Sequence, residues 1–298
     1  MRLAKVVVGL AVLGSLAFPA YAQEPPVMPG VVRITVEDIK PGSMGAHEKS
    51  VASYLAFFSR AQVPMPRLGL VPVSGDQNQV VYIERFPSFE ALEASDKKLE
   101  TTLAGSPALQ AEMEALDRNG GPLHSSQRTM IAVSRPDLSY HPLSAAAVGK
   151  SRYVSMTTIR TKLGHGTDYE GYVKQTNRAR EKANLDEHTG VYQVISGAAA
   201  GTFLSLTANR SLAEMDAARA GMSARSKALD EALGGEEVVR QRRETIETSL
   251  MDVRSALYAF NPRLGTPMAE VAAADPDFWT PKPAPGKALA VKKEEPKK

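Results

Sequence analysis

Val31-Val32-Arg33-Ile34-Thr35-Val36-Glu37 alternates apolar and polar side chains, and the breaker Pro41-Gly42 follows it. Alternation with period two is a strand signal: Val32, Ile34 and Val36 share one face, Arg33, Thr35 and Glu37 the other. Beyond the break, a helix is predicted from about Ala46 to Arg60, with Val51, Tyr54, Leu55 and Phe58 on one stripe. Pro64 and Pro66 end it. Leu68–Val73 and Gln79–Arg85 then read as a hairpin around the turn Gly75-Asp76-Gln77-Asn78. Ser88 is placed to cap a second helix carrying Phe89, Leu92 and Leu99, and Ser106-Pro107 restarts a helix. Gln127–Ser134 is the fourth strand. The order β-α-β-β-α-β is the split βαβ, or ferredoxin-like, arrangement.

The same order is written a second time. Ile39-Lys40-Pro41-Gly42 has its echo in Ile159-Arg160-Thr161-Lys162, Gly69-Leu70-Val71 in Gly190-Val191-Tyr192, and Pro136 in Pro262. Ser211-Leu212-Ala213-Glu214 reads as a capping box. A long helix over about Ser223–Thr248 should precede a last strand near Val253–Phe260. The offset drifts from 120 at Ile39/Ile159 to 126 at Pro136/Pro262, as short loop insertions would produce.

Helices on one face of a four-stranded sheet leave the other face bare, and two copies in one chain can cover each other. The polar set Arg33, Thr35, Glu37 with Tyr153, Ser155, Thr157 is expected on that bare face, lining a partly solvated space between two sheets. With its Lys-Pro-Gly turn and its Ser-Phe helix start, this pattern resembles the dimeric α/β-barrel superfamily, and exported bacterial proteins with the same tandem layout. The resemblance covers about residues 31–266. It implies an α+β fold of two tandem ferredoxin-like βαββαβ units packed sheet to sheet as an intramolecular pseudo-dimer. That superfamily includes cofactor-free monooxygenases, haem-degrading and haem-binding proteins and small isomerases. Its haem-degrading members use a Trp and a His within the barrel unit. The single tryptophan here, Trp279, lies beyond both copies, so none of their residues is carried over.

The ends of the chain read separately. Arg2 and Lys5 precede an apolar run from Val6 to Phe18, too short to span a bilayer, and Ala20-Tyr21-Ala22 is a small-x-small cleavage site. The expected layout is a signal peptide at 1–22, a linker at 23–30, the first unit at 31–144, a linker at 145–151, the second unit at 152–266, and a disordered Pro/Lys-rich tail at 267–298. The protein is expected to be exported, periplasmic or secreted, with no transmembrane segment in the mature chain. The formal charge of +3 is carried by the ends, leaving residues 23–279 near −3, which gives no electrostatic case for nucleic acid. There is no cysteine, so neither a disulfide nor a thiol nucleophile is available.

No phosphate loop, nucleophile elbow or paired-histidine metal motif appears. His47, His124, His141, His165 and His188 stand apart in sequence, and no metal site is predicted from them. The candidates for an inter-unit cavity are Arg33, Glu37, Tyr82, Glu84, Arg128, Tyr153, His188, Tyr192, Arg254 and Tyr258. Two arginines among phenols and carboxylates suit a small, partly polar organic ligand. The expected function is therefore binding of such a ligand. The alternatives are a cofactor-independent monooxygenase- or isomerase-like enzyme using Tyr or His for proton transfer, and a partner-binding scaffold. No cofactor is predicted, with haem left open, and the chain is expected to act as a monomeric pseudo-dimer.

Overall fold

A computed structural model describes residues 28–280; the predicted signal peptide and the last part of the basic tail lie outside the described residues. The first half runs β1 (Val31–Ile39), α1 (Met44–Arg60), β2 (Arg67–Pro72), β3 (Gln79–Phe86), α2 (Phe89–Ala104), α3 (Pro107–Gly120) and β4 (His124–Ser134). A short α4 (Ala145–Gly149) sits in the expected linker. The second half runs β5 (Tyr153–Thr161), α5 (Gly166–Lys182), β6 (Gly190–Ser196), β7 (Thr202–Asn209), α6 (Leu212–Ala220), α7 (Met222–Leu233), α8 (Glu236–Ser249) and β8 (Leu250–Phe260). Two further turns of helix, α9 (Ala269–Ala274) and α10 (Pro276–Trp279), close the described chain. No helix in this span is long and apolar enough to cross a membrane.

The predicted caps form. Ser88 Oγ accepts from the Ala91 amide, Ser106 Oγ from Leu109 and Ser211 Oγ from Glu214. Glu214 reaches back to the amide of Arg210, one residue before the cap. The long helix expected over 223–248 is two helices. Gly234 and Gly235 break it at φ of 114° and 90°, which only glycine adopts without strain.

All eight strands form one closed antiparallel barrel in the order β1-β3-β2-β8-β5-β7-β6-β4. Both halves use the same internal order, β4-β1-β3-β2 and β8-β5-β7-β6, and they join edge to edge at β2–β8 and β4–β6. Two sheets packed face to face were expected; closure instead removes the free edges each half would expose.

Closure also reverses the expected faces. Val32, Ile34, Val36, Leu68, Leu70, Val81 and Ile83 pack inside the barrel with Val154, Met156, Val194, Leu204 and Phe260 of the other half. The polar face of β1 lies under the helices. An eight-stranded barrel is just wide enough for side chains to fill it, so its interior takes the apolar set. Alternation separates two faces of a strand but does not say which one meets the helices.

The pairing register corrects the repeat by two residues. The pairing of each first strand breaks register at the matching point, after Asp38 and after Arg160, where the partner strand carries one extra residue, Ser125 of β4 and Met251 of β8; Ile39 then lies opposite His124 and Thr161 opposite Leu250. Glu37 therefore corresponds to Ile159 and Arg33 to Ser155, in place of Thr157 and Tyr153. The equivalence of Arg128 with Arg254 holds, opposite Val36 and Thr158. A slip of two preserves the face, so the self-similarity survived the error.

Each half ends by crossing onto the other. The Arg135 amide donates to Val191 O, and the Asn261 amide to Gly69 O, both at 2.8 Å. Leu138 then packs with Ile159, Tyr169, Val191 and Phe203 of the second half. Leu264 packs with Ile39, Val51, Val80 and Tyr82 of the first. Gly69 is required here, since a Cβ on it would stand 2.5 Å from Leu264 Cβ.

The segment 267–279, expected as disordered tail, is folded. Trp279 is buried, donates Nε1–H to Gly149 O at 2.7 Å, and meets Phe260 edge-on with ring centres 5.5 Å apart. Arg152 pairs with Asp275 and stacks 3.9 Å over the Phe278 ring. These contacts belong to the apolar cluster that fills the barrel, so α9 and α10 cover its lower end, where β1 and β5 begin.

Candidate functional site

A pocket remains at that lower end, inside the barrel. Its volume is about 90 Å³, and both halves line it: Val32, Leu68, Ile83 and Arg85 from the first, Val154, Tyr192, Leu206 and Phe260 from the second. Met28, Pro29, Pro142, Leu143, His188, Gly190, Ala208 and, from the linker, Val148 complete the wall. A porphyrin has no room in it.

The wall is apolar except at three points. Arg85 lies opposite Val32 in the β1–β3 register and so faces inward. Among the described residues no carboxylate pairs with it. Tyr192 is buried, and that burial pushes its phenol pKa up, with Arg85 pulling the other way. His188 bonds through Nδ1 to the His141 carbonyl at 2.7 Å, so that nitrogen carries the proton, and its Nε2 stands 3.3 Å from Asp186. The pocket thus presents one free cation and a phenol over an apolar floor.

A second concentration of chemistry lies outside the barrel wall, between β1 and α1. Glu37 projects from the helix-facing side of β1. His47 is the fourth residue of α1, and His124 opens β4. His47 Nε2 is 3.0 Å from Tyr82 Oη and 3.6 Å from Glu37 Oε2; His124 Nε2 is 3.2 Å from the same carboxylate oxygen. The His47 side chain is 2% exposed, Glu37 12% and His124 21%, so solvent reaches the group from the His124 side. Desolvation dominates its electrostatics. It lowers the His47 pKa to about 4, raises that of Glu37, and raises that of Tyr82. The Arg67 guanidinium lies 4.1 Å over the Tyr82 ring.

The ten expected site residues therefore divide among four places. Tyr192 and His188 line the barrel pocket. Glu37 and Tyr82 belong to the group under α1. Arg33 and Glu84 also lie outside the barrel: Arg33 bonds both Glu84 and Asp96 of α2, a tie between sheet and helix. Tyr153 shares that helix-facing side. Tyr258 is inside the barrel near the upper rim, donating to Gln79 Oε1 at 2.9 Å, and Gln79 in turn donates to Asp38. Arg128 and Arg254 do not meet in a cavity. They stand half and largely exposed at the open rim, each paired within its own half, with Asp38 and with Asp252. Arg85, His47 and His124 were not among the candidates. Arg85 could have been found by counting inward positions along β3, once the apolar face is known to be the interior.

No protein-family model matches the sequence, and no curated protein matches it. Solved structures do resemble it. A candidate monooxygenase from Lactobacillus acidophilus NCFM aligns over 78% of this chain and 94% of its own, at 8% identity and a TM-score of 0.42. A chlorite dismutase mutant from Candidatus Nitrospira defluvii aligns over 83% of this chain and 97% of its own, at 10% identity and 0.45. A NIPSNAP family protein from Agrobacterium tumefaciens covers 37% of this chain with 90% of its own, at 20% identity and 0.29.

Proposed function

We propose that the protein binds a small apolar monocarboxylate in the barrel pocket shared by its two halves. The observation that carries this reading is Arg85, an inward-facing guanidinium without a carboxylate partner among the described residues, set at an apolar pocket beside Tyr192. A buried or half-buried cation calls for a counter-charge, and a guanidinium takes a carboxylate in a two-pronged contact. The pocket is of a size for one ring or a short branched chain.

Calorimetric titration with benzoate and with benzyl alcohol tests it. Benzoate binds the wild type, and Arg85→Leu weakens it by about 10- to 100-fold, the worth of a hydrogen bond to a charged group. Benzyl alcohol binds both proteins weakly and equally. Equal benzoate affinity in wild type and variant would remove this reading.

The halves are, in this proposal, ferredoxin-like units fused into a pseudo-dimer. Residues 1–22 are proposed as an export signal, so the mature protein should begin at Gln23, a point that N-terminal sequencing of the exported form decides. An enzymatic second reading is favoured by one observation: Tyr82 and His47 are hydrogen-bonded beside Glu37, and burial shifts the pKa of each, the tuning that proton-transferring groups show.

A further inference from the structure

Independently of the barrel pocket, we propose that Glu37, His47 and His124 hold a divalent first-row transition ion of the zinc or iron(II) class. One oxygen of Glu37 and one nitrogen from each imidazole lie within 4.8 Å of one another. The separations from Glu37 Oε2 are 3.6 Å to His47 Nε2 and 3.2 Å to His124 Nε2. Ligand atoms at about 2.0–2.1 Å from a tetrahedral ion stand roughly 3.4 Å apart, so the carboxylate oxygen already stands at coordination spacing from both imidazoles. Two imidazoles and one carboxylate, with one side open, is the donor set of catalytic zinc and non-haem iron centres. The open side here is the one where His124 and Glu37 reach solvent.

The second half shows that the fold does not need these groups. Glu37 corresponds to Ile159 by the strand register. His47 corresponds to Tyr169, each the fourth residue of a 17-residue helix. His124 corresponds to Leu250, each the first residue of the last strand. Ile159, Tyr169 and Leu250 pack together as an ordinary apolar core with Val191 and Phe203. Burying ionisable side chains where apolar ones suffice costs several kcal/mol unless something offsets it, and a bound cation does.

Tyr82 Oη, now 3.0 Å from His47 Nε2, would yield that nitrogen's lone pair to the ion and turn toward the Glu37 carboxylate. The nearby Arg67 opposes a second cation, which sets affinity below that of a structural zinc site.

The test uses the full chain, stripped with EDTA and dialysed against Co(II) alone. One ion per chain is expected, with the intense visible absorption of four- or five-coordinate cobalt. His124→Ala and Glu37→Gln should each weaken binding by about 100-fold or more, since lost ligands outweigh the 10–100-fold cost of outer partners. His124 is at the solvent edge, so its variant keeps the fold, checked by an unchanged circular dichroism spectrum. His141→Ala should leave binding unchanged, which separates the site from the His141–His188 pair. Sub-stoichiometric binding, a hexaaqua-like spectrum, or binding that survives both ligand variants would overturn the proposal. So would binding that His141→Ala abolishes.

Discussion

Replacing Leu264 with alanine should destabilise the whole protein by about 3–5 kcal/mol, the upper range for a fully buried leucine. Leu264 is 0% exposed, and it belongs to the second half of the sequence while filling the first half's helix-to-sheet core. The cavity left behind would sit against Gly69, whose backbone has no side chain to lean into it. Leu138→Ala makes the reciprocal cut, and a loss of about 2–5 kcal/mol is expected. Because each plug belongs to one half and serves the other, urea unfolding of both variants should remain a single transition. Two separated transitions, or a loss below about 1 kcal/mol, would show that the halves are not interlocked in this way.

Trp279→Ala should cost about 3–5 kcal/mol as well, by removing the largest side chain from the lower cap. Its ring is 3% exposed, its indole N–H is committed to Gly149 O, and Phe260 lies between it and the barrel interior. Gly149 has no room for a side chain, since a Cβ would lie 2.5 Å from Val271 O, so α4 and α9 pack backbone to backbone here. Phe260 also lines the ligand pocket. The variant should therefore weaken benzoate binding along with stability, whereas Arg85→Leu weakens binding alone. Thermal melts with and without benzoate distinguish them. An unchanged melting temperature in Trp279→Ala would contradict the folded role given to residues 267–279.

Much of this fold is legible in the sequence, because turns and caps are local. Pro41-Gly42, Ser88, Ser106-Pro107 and Ser211 announce their elements by side chains that act within four residues. The alternation of β1 likewise sorts Val32 from Arg33. What it withholds is which face meets the helices, a property of barrel closure that depends on strands eighty and more residues away. The register breaks after Asp38 and Arg160 are similarly invisible, because they are set by pairing with β4 and β8, and only that pairing moves the equivalent of Glu37 from Thr157 to Ile159.

The candidate sites follow the same division. Tyr192 and His188, expected in a cavity between the halves, line the barrel pocket, whereas Glu37 and Tyr82, expected in the same cavity, lie outside the barrel under α1. His47 and His124 were not, because 77 residues separate them and only the β1–β4 pairing and the seating of α1 unite them. The contrast with Ile159, Tyr169 and Leu250 in the second half comes into view only with the strand pairing. Arg33 and Glu84 show the converse. They are conspicuous in sequence, yet they only fasten α2 to the sheet.

Crystals soaked with 4-bromobenzoate decide, by the anomalous signal of bromine, whether the space between the halves takes a carboxylate on Arg85. The expected peak lies inside the barrel among Val32, Val154 and Leu206, with the carboxylate on Arg85. A peak only at the upper rim by Arg128 and Arg254, or none in the barrel at saturating ligand, would contradict it.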